Sequence, residues 1–104
     1  LRILLDEMLP VGVADLLPEH EVTTAKAAGY AGLSNGELIR RALADGFRVL
    51  LTADRHLPAQ QNIAAAGIAV VLVPGNRVAE ISRRRSALLS AIGEARAGTV
   101  VRIE

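Results

Sequence analysis

Unbroken runs of Ile, Val and Leu alternate along this chain with stretches whose apolar residues recur every three or four positions. Residues 2–5, 47–52 and 68–73 belong to the first kind. Short apolar runs without a polar face predict strands covered on both sides, as in a parallel sheet. Residues 21–24 are only half apolar and predict a shorter strand. Residues 99–103 predict a last one, with Val101 and Ile103 on one face. Helical spacing appears in residues 9–17, where Leu9, Val13, Leu16 and Leu17 share a face, Pro10 suits a first turn and Pro18 stops it. Residues 25–29 predict a single helical turn. Ser34 and Glu37 form an S-x-x-E capping box ahead of an apolar-periodic run, and Gly46 closes that helix. A helix over 58–66 ends at Gly67. A long helix over 77–97 ends at Gly98, with Val78, Ile81, Leu88, Leu89 and Ile92 as its apolar stripe.

Strands therefore alternate with helices throughout. The alternation predicts an α/β fold: a three-layer α/β/α sandwich with a mostly parallel sheet of about five strands, built as a single domain over 1–104. Right-handed crossovers place helices on both faces. In such sheets, ligands bind in the crevice beyond the carboxyl ends of the strands. The first strand runs directly into Asp6 and Glu7, and the strand over 47–52 runs into Asp54. If those strands are neighbours, the acids converge. Like charges at short range repel, and a divalent cation is the usual remedy.

Composition narrows the chemistry. There is no Cys, which removes disulfides, zinc–thiolate sites and thiol catalysis, and fits a reducing cytoplasm. One Phe, one Tyr and no Trp leave no aromatic platform for stacking bases. No apolar run approaches the length of a membrane span. The net charge of +1 excludes a generally basic nucleic-acid coat. The cations are almost all Arg, Lys26 being the only Lys. Arg pairs bidentately with phosphate, but an Arg- and Ala-rich chain can equally reflect genome composition.

Each candidate residue has a plain structural reading beside the functional one. Asp6 and Asp54 can cap the turns that follow their strands, and can also bind a metal. Glu7 can serve as a partner that supports Asp6. Glu37 is explained by the capping box, yet that helix can begin at the sheet's carboxyl edge and aim Glu37 into the crevice. Arg55 and His56 follow Asp54 and can contact phosphate or simply face solvent. Gln60, Gln61 and Asn62 open a helix leaving the same edge, either facing solvent or orienting a bound water. Arg83, Arg84 and Arg85 read first as a solvated face, although Arg85 falls in the apolar stripe, four residues after Ile81. No phosphate-binding glycine loop and no nucleophile elbow is present. His20 and His56 lack metal-ligand spacing to each other.

With these residues in place, the chain resembles the small bacterial PIN-like proteins related to VapC-type toxins and to the Mut7-C domain. The matching pieces are R-I-L-L-D-E-x-L-P from Arg2 to Pro10, G-L-S-N-G-E-L from Gly32 to Leu38, L-L-T-A-D-R from Leu50 to Arg55, and Q-Q-N from Gln60 to Asn62. The resemblance covers essentially the whole chain. It implies a Mg²⁺- or Mn²⁺-dependent endoribonuclease, the toxin of a toxin–antitoxin pair. Asp6, Glu37 and Asp54 would be its metal ligands and catalytic acids. Arg55, His56, Gln61 and Asn62 would face substrate. RNA and a cognate antitoxin are the expected partners, a homodimer is a further expectation, and no membrane is involved. Two departures are visible. Met8 stands where relatives tend to have Asn, and the fourth acid of many such sites has no clear match; after Asp54 the next acid is Glu80. They motivate the alternative of a degenerate module acting through protein or RNA binding. A receiver-type phosphoacceptor shares the strand-end acids but needs a Lys near the last strands, and Lys26 lies in the wrong half.

Overall fold

A computed structural model describes all residues 1–104. The elements in order are β1 (Arg2–Leu5), a 3₁₀ helix (Val11–Leu16), β2 (Glu21–Thr24), α1 (Asn35–Ala44), β3 (Val49–Thr52), α2 (Leu57–Gln60), α3 (Ile63–Ala66), β4 (Ala69–Leu72), α4 (Val78–Ser82), α5 (Arg85–Glu94) and β5 (Val100–Arg102). The five strands form one sheet in the order β2-β1-β3-β4-β5, and every pair is parallel.

The unbroken apolar strands follow from that arrangement, because alternate side chains enter two different cores. Ile3, Leu5, Val49, Leu51, Ala69 and Val71 face one layer, where they pack with Val13, Ile81, Leu88 and Ile92. Leu4, Leu50, Val70 and Leu72 face the other, where they meet Leu38, Ile39, Ala42, Leu57 and Ile63. Helices therefore cover both faces, giving three layers. The 3₁₀ helix lies close against α4: a methyl group at Gly12 would sit 3.1 Å from Val78 Cγ2.

α1 follows its sequence signals. Ser34 is the N-cap, and its Oγ accepts the Glu37 N–H at 3.3 Å. At the far end Gly46 takes φ +90°, a left-handed turn that lets the Phe47 N–H return to Ala42 O at 2.9 Å. Four other expectations are corrected. The helix over 9–17 is a 3₁₀ helix that begins after Pro10. Residues 25–29 form turns, the first held by Thr24 Oγ1 accepting the Ala27 N–H at 3.0 Å. The helix over 58–66 is two short helices: Gln61 is extended, and Asn62 Oδ1 accepts the Ala65 N–H at 3.1 Å, starting the second as its N-cap. The long helix over 77–97 breaks at Arg83–Arg84, where the Arg84 N–H bonds to Ile81 O in a tightened turn, and it ends at Glu94. Arg85 thereby leaves the apolar stripe. It is exposed, and its Nε donates to Leu16 O at 3.1 Å, tying α5 to the end of the 3₁₀ helix.

Candidate functional site

The order of the sheet decides where a site can form. From β1 the chain moves outward to β2, then returns past β1 to β3. The crevice at the carboxyl ends of β1 and β3 is therefore the topological switch point, the usual ligand position in open parallel sheets. Leu5 and Leu51 are register partners across β1 and β3. The Asp6 N–H continues the ladder to Leu51 O at 3.0 Å. Asp6 and Thr52 are thus the next residues in line on their two strands, and both follow the alternation that sends Leu4 and Leu50 toward α1.

Their side chains meet. The Thr52 hydroxyl donates to Asp6 Oδ2 at 2.7 Å and accepts the Asp54 N–H at 3.1 Å. Thr52 is fully buried and, beside Tyr30, is the only buried residue with a polar side-chain group. A buried hydroxyl must be paired, and this one has both a donor role and an acceptor role filled. It joins the two acids that the sequence singled out. Sequence reasoning passed over Thr52; its one signal is a hydroxyl at the end of an otherwise apolar strand.

Asp6 Oδ1 accepts the Glu7 N–H at 2.8 Å. Asp54 Oδ1 accepts the His56 N–H at 2.9 Å, the local turn-capping role open to it from sequence. Asp54 Oδ2 faces Asn35 Nδ2 at 3.5 Å, so the first turn of α1 stands beside it. Asn35 was also unforeseen, because only the packing of α1 against β3 brings it there. Both Asp6 and Asp54 are half-buried. Neither forms an ion pair; the one ion pair in the chain joins Arg2 and Glu21 at the opposite edge.

The remaining candidates divide. Glu7 is exposed, and its Oε1 accepts the Gly32 N–H at 2.8 Å, linking the segment after β1 to the segment after β2. Glu37 is exposed, and its Oε1 accepts the Ser34 hydroxyl at 3.3 Å. It stays with its cap and makes no hydrogen bond to Asp6 or Asp54. Gln61 does approach the site: its Oε1 would be 3.3 Å from a methyl group at Gly36, in the first turn of α1. Asn62 spends its side-chain oxygen as a cap. Arg55 and His56 are exposed on the turn after β3. Glu80 packs its carboxylate over Gly75, in the turn after β4. Arg83 and Arg84 are exposed at the α4–α5 break.

No group of three or more His, Cys, Asp or Glu side chains lies close enough to hold a metal ion. The acids therefore do not form an all-protein cage. Each Asp6 oxygen accepts one hydrogen bond, which leaves each with a further lone pair. Mg²⁺ is commonly held by one or two carboxylates with water filling the rest of its shell.

Fold and edge define an all-parallel, three-layer α/β protein with an acidic switch point. No family model, no curated protein and no solved structure matches the chain. No helix is long and apolar enough to cross a membrane.

Proposed function

We propose that this chain is a Mg²⁺- or Mn²⁺-dependent endoribonuclease of PIN-like type, the toxin partner of a cognate antitoxin in the cytoplasm. The observation that supports it is the Thr52-bridged pair of acids, Asp6 and Asp54, at the topological switch point. Asp6 and Asp54 would hold the ion, with Glu37 adding negative charge at the rim through water. When bound, the ion supplies a water of lowered pKa and neutralises charge on the scissile phosphate. Thr52 fixes Asp6 by one oxygen and Asp54 by its backbone, so neither acid has to be ordered when substrate arrives. Asn35 steadies the free oxygen of Asp54. Arg55 and His56, exposed beside Asp54, are the groups that would touch the phosphates.

The test is a pair of measurements on the wild type, Asp6→Asn and Asp54→Asn. Millimolar Mn²⁺ should raise the melting temperature of the wild type alone, because a ligand that binds only the folded state stabilises it. Cleavage of structured RNA should fall at least about a hundredfold in each variant. Full cleavage by both variants, with contaminating nuclease excluded, would refute the assignment.

A second reading is a PIN-like module without catalysis, acting through bound protein or RNA. It is favoured by Glu37, whose carboxylate is engaged by its own cap residue Ser34, and by Met8, 52% exposed directly after Glu7. No Mn²⁺-dependent stabilisation of the wild type would select this reading.

A further inference from the structure

A cleft of about 320 Å³ opens beside Asp6, between the segment after β1 and the segment after β2. Asp6, Glu7, Leu9 and Val11 line one wall, and Thr24, Lys26 and Ala31 the other. Neither Asp54 nor Glu37 reaches it. The Glu7–Gly32 hydrogen bond holds the two walls together.

The lining has a specific chemistry. Leu9, Val11 and Ala31 give it an apolar surface, and Val11 is left 70% exposed at its mouth. Lys26 is exposed and makes no ion pair. It is therefore a free cation on the wall opposite the acids. Glu7 keeps its second carboxylate oxygen as an acceptor, since only Oε1 is engaged. The Thr24 hydroxyl oxygen accepts the Ala27 N–H, and its O–H remains a donor at the wall. A matching ligand has a flat apolar body, an N–H donor on its rim and one anionic group. The volume is at the small end of ligand sites, which suits a single nucleotide and not a longer polymer. Inorganic phosphate would use Lys26 and waste the apolar wall. A nucleoside would use the wall and leave Lys26 unpaired.

We propose that this cleft is a nucleotide subsite, with the base and sugar over Leu9, Val11 and Ala31 and the phosphate on Lys26. Its place in a reaction, holding the residue next to the scissile phosphate, rests on the nuclease reading; binding itself does not.

The test uses the full chain without metal, titrated with AMP, adenosine and inorganic phosphate, and followed by calorimetry and backbone-amide shifts. AMP should bind with shifts centred on Leu9, Val11, Lys26 and Ala31. Adenosine and phosphate should each bind about tenfold more weakly, the size expected for losing one charged contact or the apolar wall. Lys26→Met should reduce AMP to the affinity of adenosine. Ala31→Leu should fill the cleft and block both. Both side chains are exposed, so the variants should melt like the wild type. Shifts centred on Arg55 and His56, or an unchanged AMP affinity in Lys26→Met, would overturn the subsite. Mn²⁺-dependent RNA cleavage indifferent to Lys26→Met and Ala31→Leu would overturn its place beside the scissile phosphate, and leave the nuclease reading standing. AMP bound in the cleft of a chain that cleaves no RNA would keep the subsite and remove the nuclease.

Discussion

The two edges of the sheet use charge in opposite ways. At the amino edge, charges are spent on holding the fold. Arg2 lies over the Phe47 ring, 4.3 Å from its centroid, pairs with Glu21 at 3.5 Å and donates to the Asp45 carbonyl. The hydroxyl of buried Tyr30 donates to the Asp45 carboxylate and lies 3.3 Å from Arg41 O, and its ring packs edge-on against Phe47. Cation, acid and aromatic groups pair with one another there, although Arg2 Nε makes no hydrogen bond. At the carboxyl edge, Asp6, Glu7, Glu37 and Asp54 make no ion pair, and their carboxylates are held by hydroxyl, amide and backbone N–H groups. Polar groups that stabilise a fold are paired inside it. Acids that make no ion pair at the switch point are the basis of the proposed metal site.

The contrast can be broken first at Thr52. Thr52→Val keeps the shape and deletes the hydroxyl, so the Asp54 N–H and Asp6 Oδ2 both lose a buried partner. Stability should fall by about 1–3 kcal/mol in urea unfolding, and the Mn²⁺-dependent rise in melting temperature should disappear. Thr52→Ser should restore both. A Thr52→Val protein that keeps its full metal response would show that the hydroxyl does not organise the acids.

The amino edge should answer more weakly, and to pH instead of metal. The Tyr30 phenol is pushed up to about 12, by burial first and then by its hydrogen bond and closeness to Asp45; Arg41 and Arg2 oppose the shift. The unfolded phenol titrates near 10. The folded state therefore holds this proton more tightly than the unfolded state. Its contribution is complete below pH ~10 and is lost as pH rises toward ~12. With one Tyr and no Trp, tyrosinate absorbance reports this group alone. A midpoint near 10 in the folded protein would contradict the buried pairing. Tyr30→Phe should cost about 1 kcal/mol at neutral pH and remove the alkaline loss.

The smallest effect belongs to Glu37→Gln. The Ser34 cap to the backbone survives the change, so stability should move by less than about 0.5 kcal/mol. RNA cleavage is the sharper readout. A loss near that of Asp6→Asn would show that Glu37 joins the site when substrate binds, whereas near-normal cleavage would leave it a capping residue.

The fold was largely legible in the sequence because strands buried on both faces leave an unmistakable run, as at Leu50–Leu51 and Val70–Val71. The α1 boundaries were legible because Ser34, Glu37 and Gly46 act on backbone only a few residues away. Breaks inside helices were not. Asn62 competes with the helix for a backbone N–H, and periodicity averages over such a contest. At the site, Asp6 and Asp54 could be placed at strand ends by pattern alone. The hydroxyl joining them could not, because the Thr52–Asp6 contact spans 46 positions and exists only in the observed register. At Glu37 the capping box was legible and is observed, its carboxylate accepting the Ser34 hydroxyl.

Strand order also makes β1 and β5 unequal during biosynthesis. β1 is synthesised first, yet it lies inside the sheet between β2 and β3. On the ribosome it gains β2 early but waits for residues 49–52 before its second edge is covered, leaving an apolar strand side available to mispair. β5 follows the other four strands and adds to a flank. Removing it should leave β2-β1-β3-β4 contiguous, whereas trimming β1 would cut the sheet in two and take Asp6's scaffold with it.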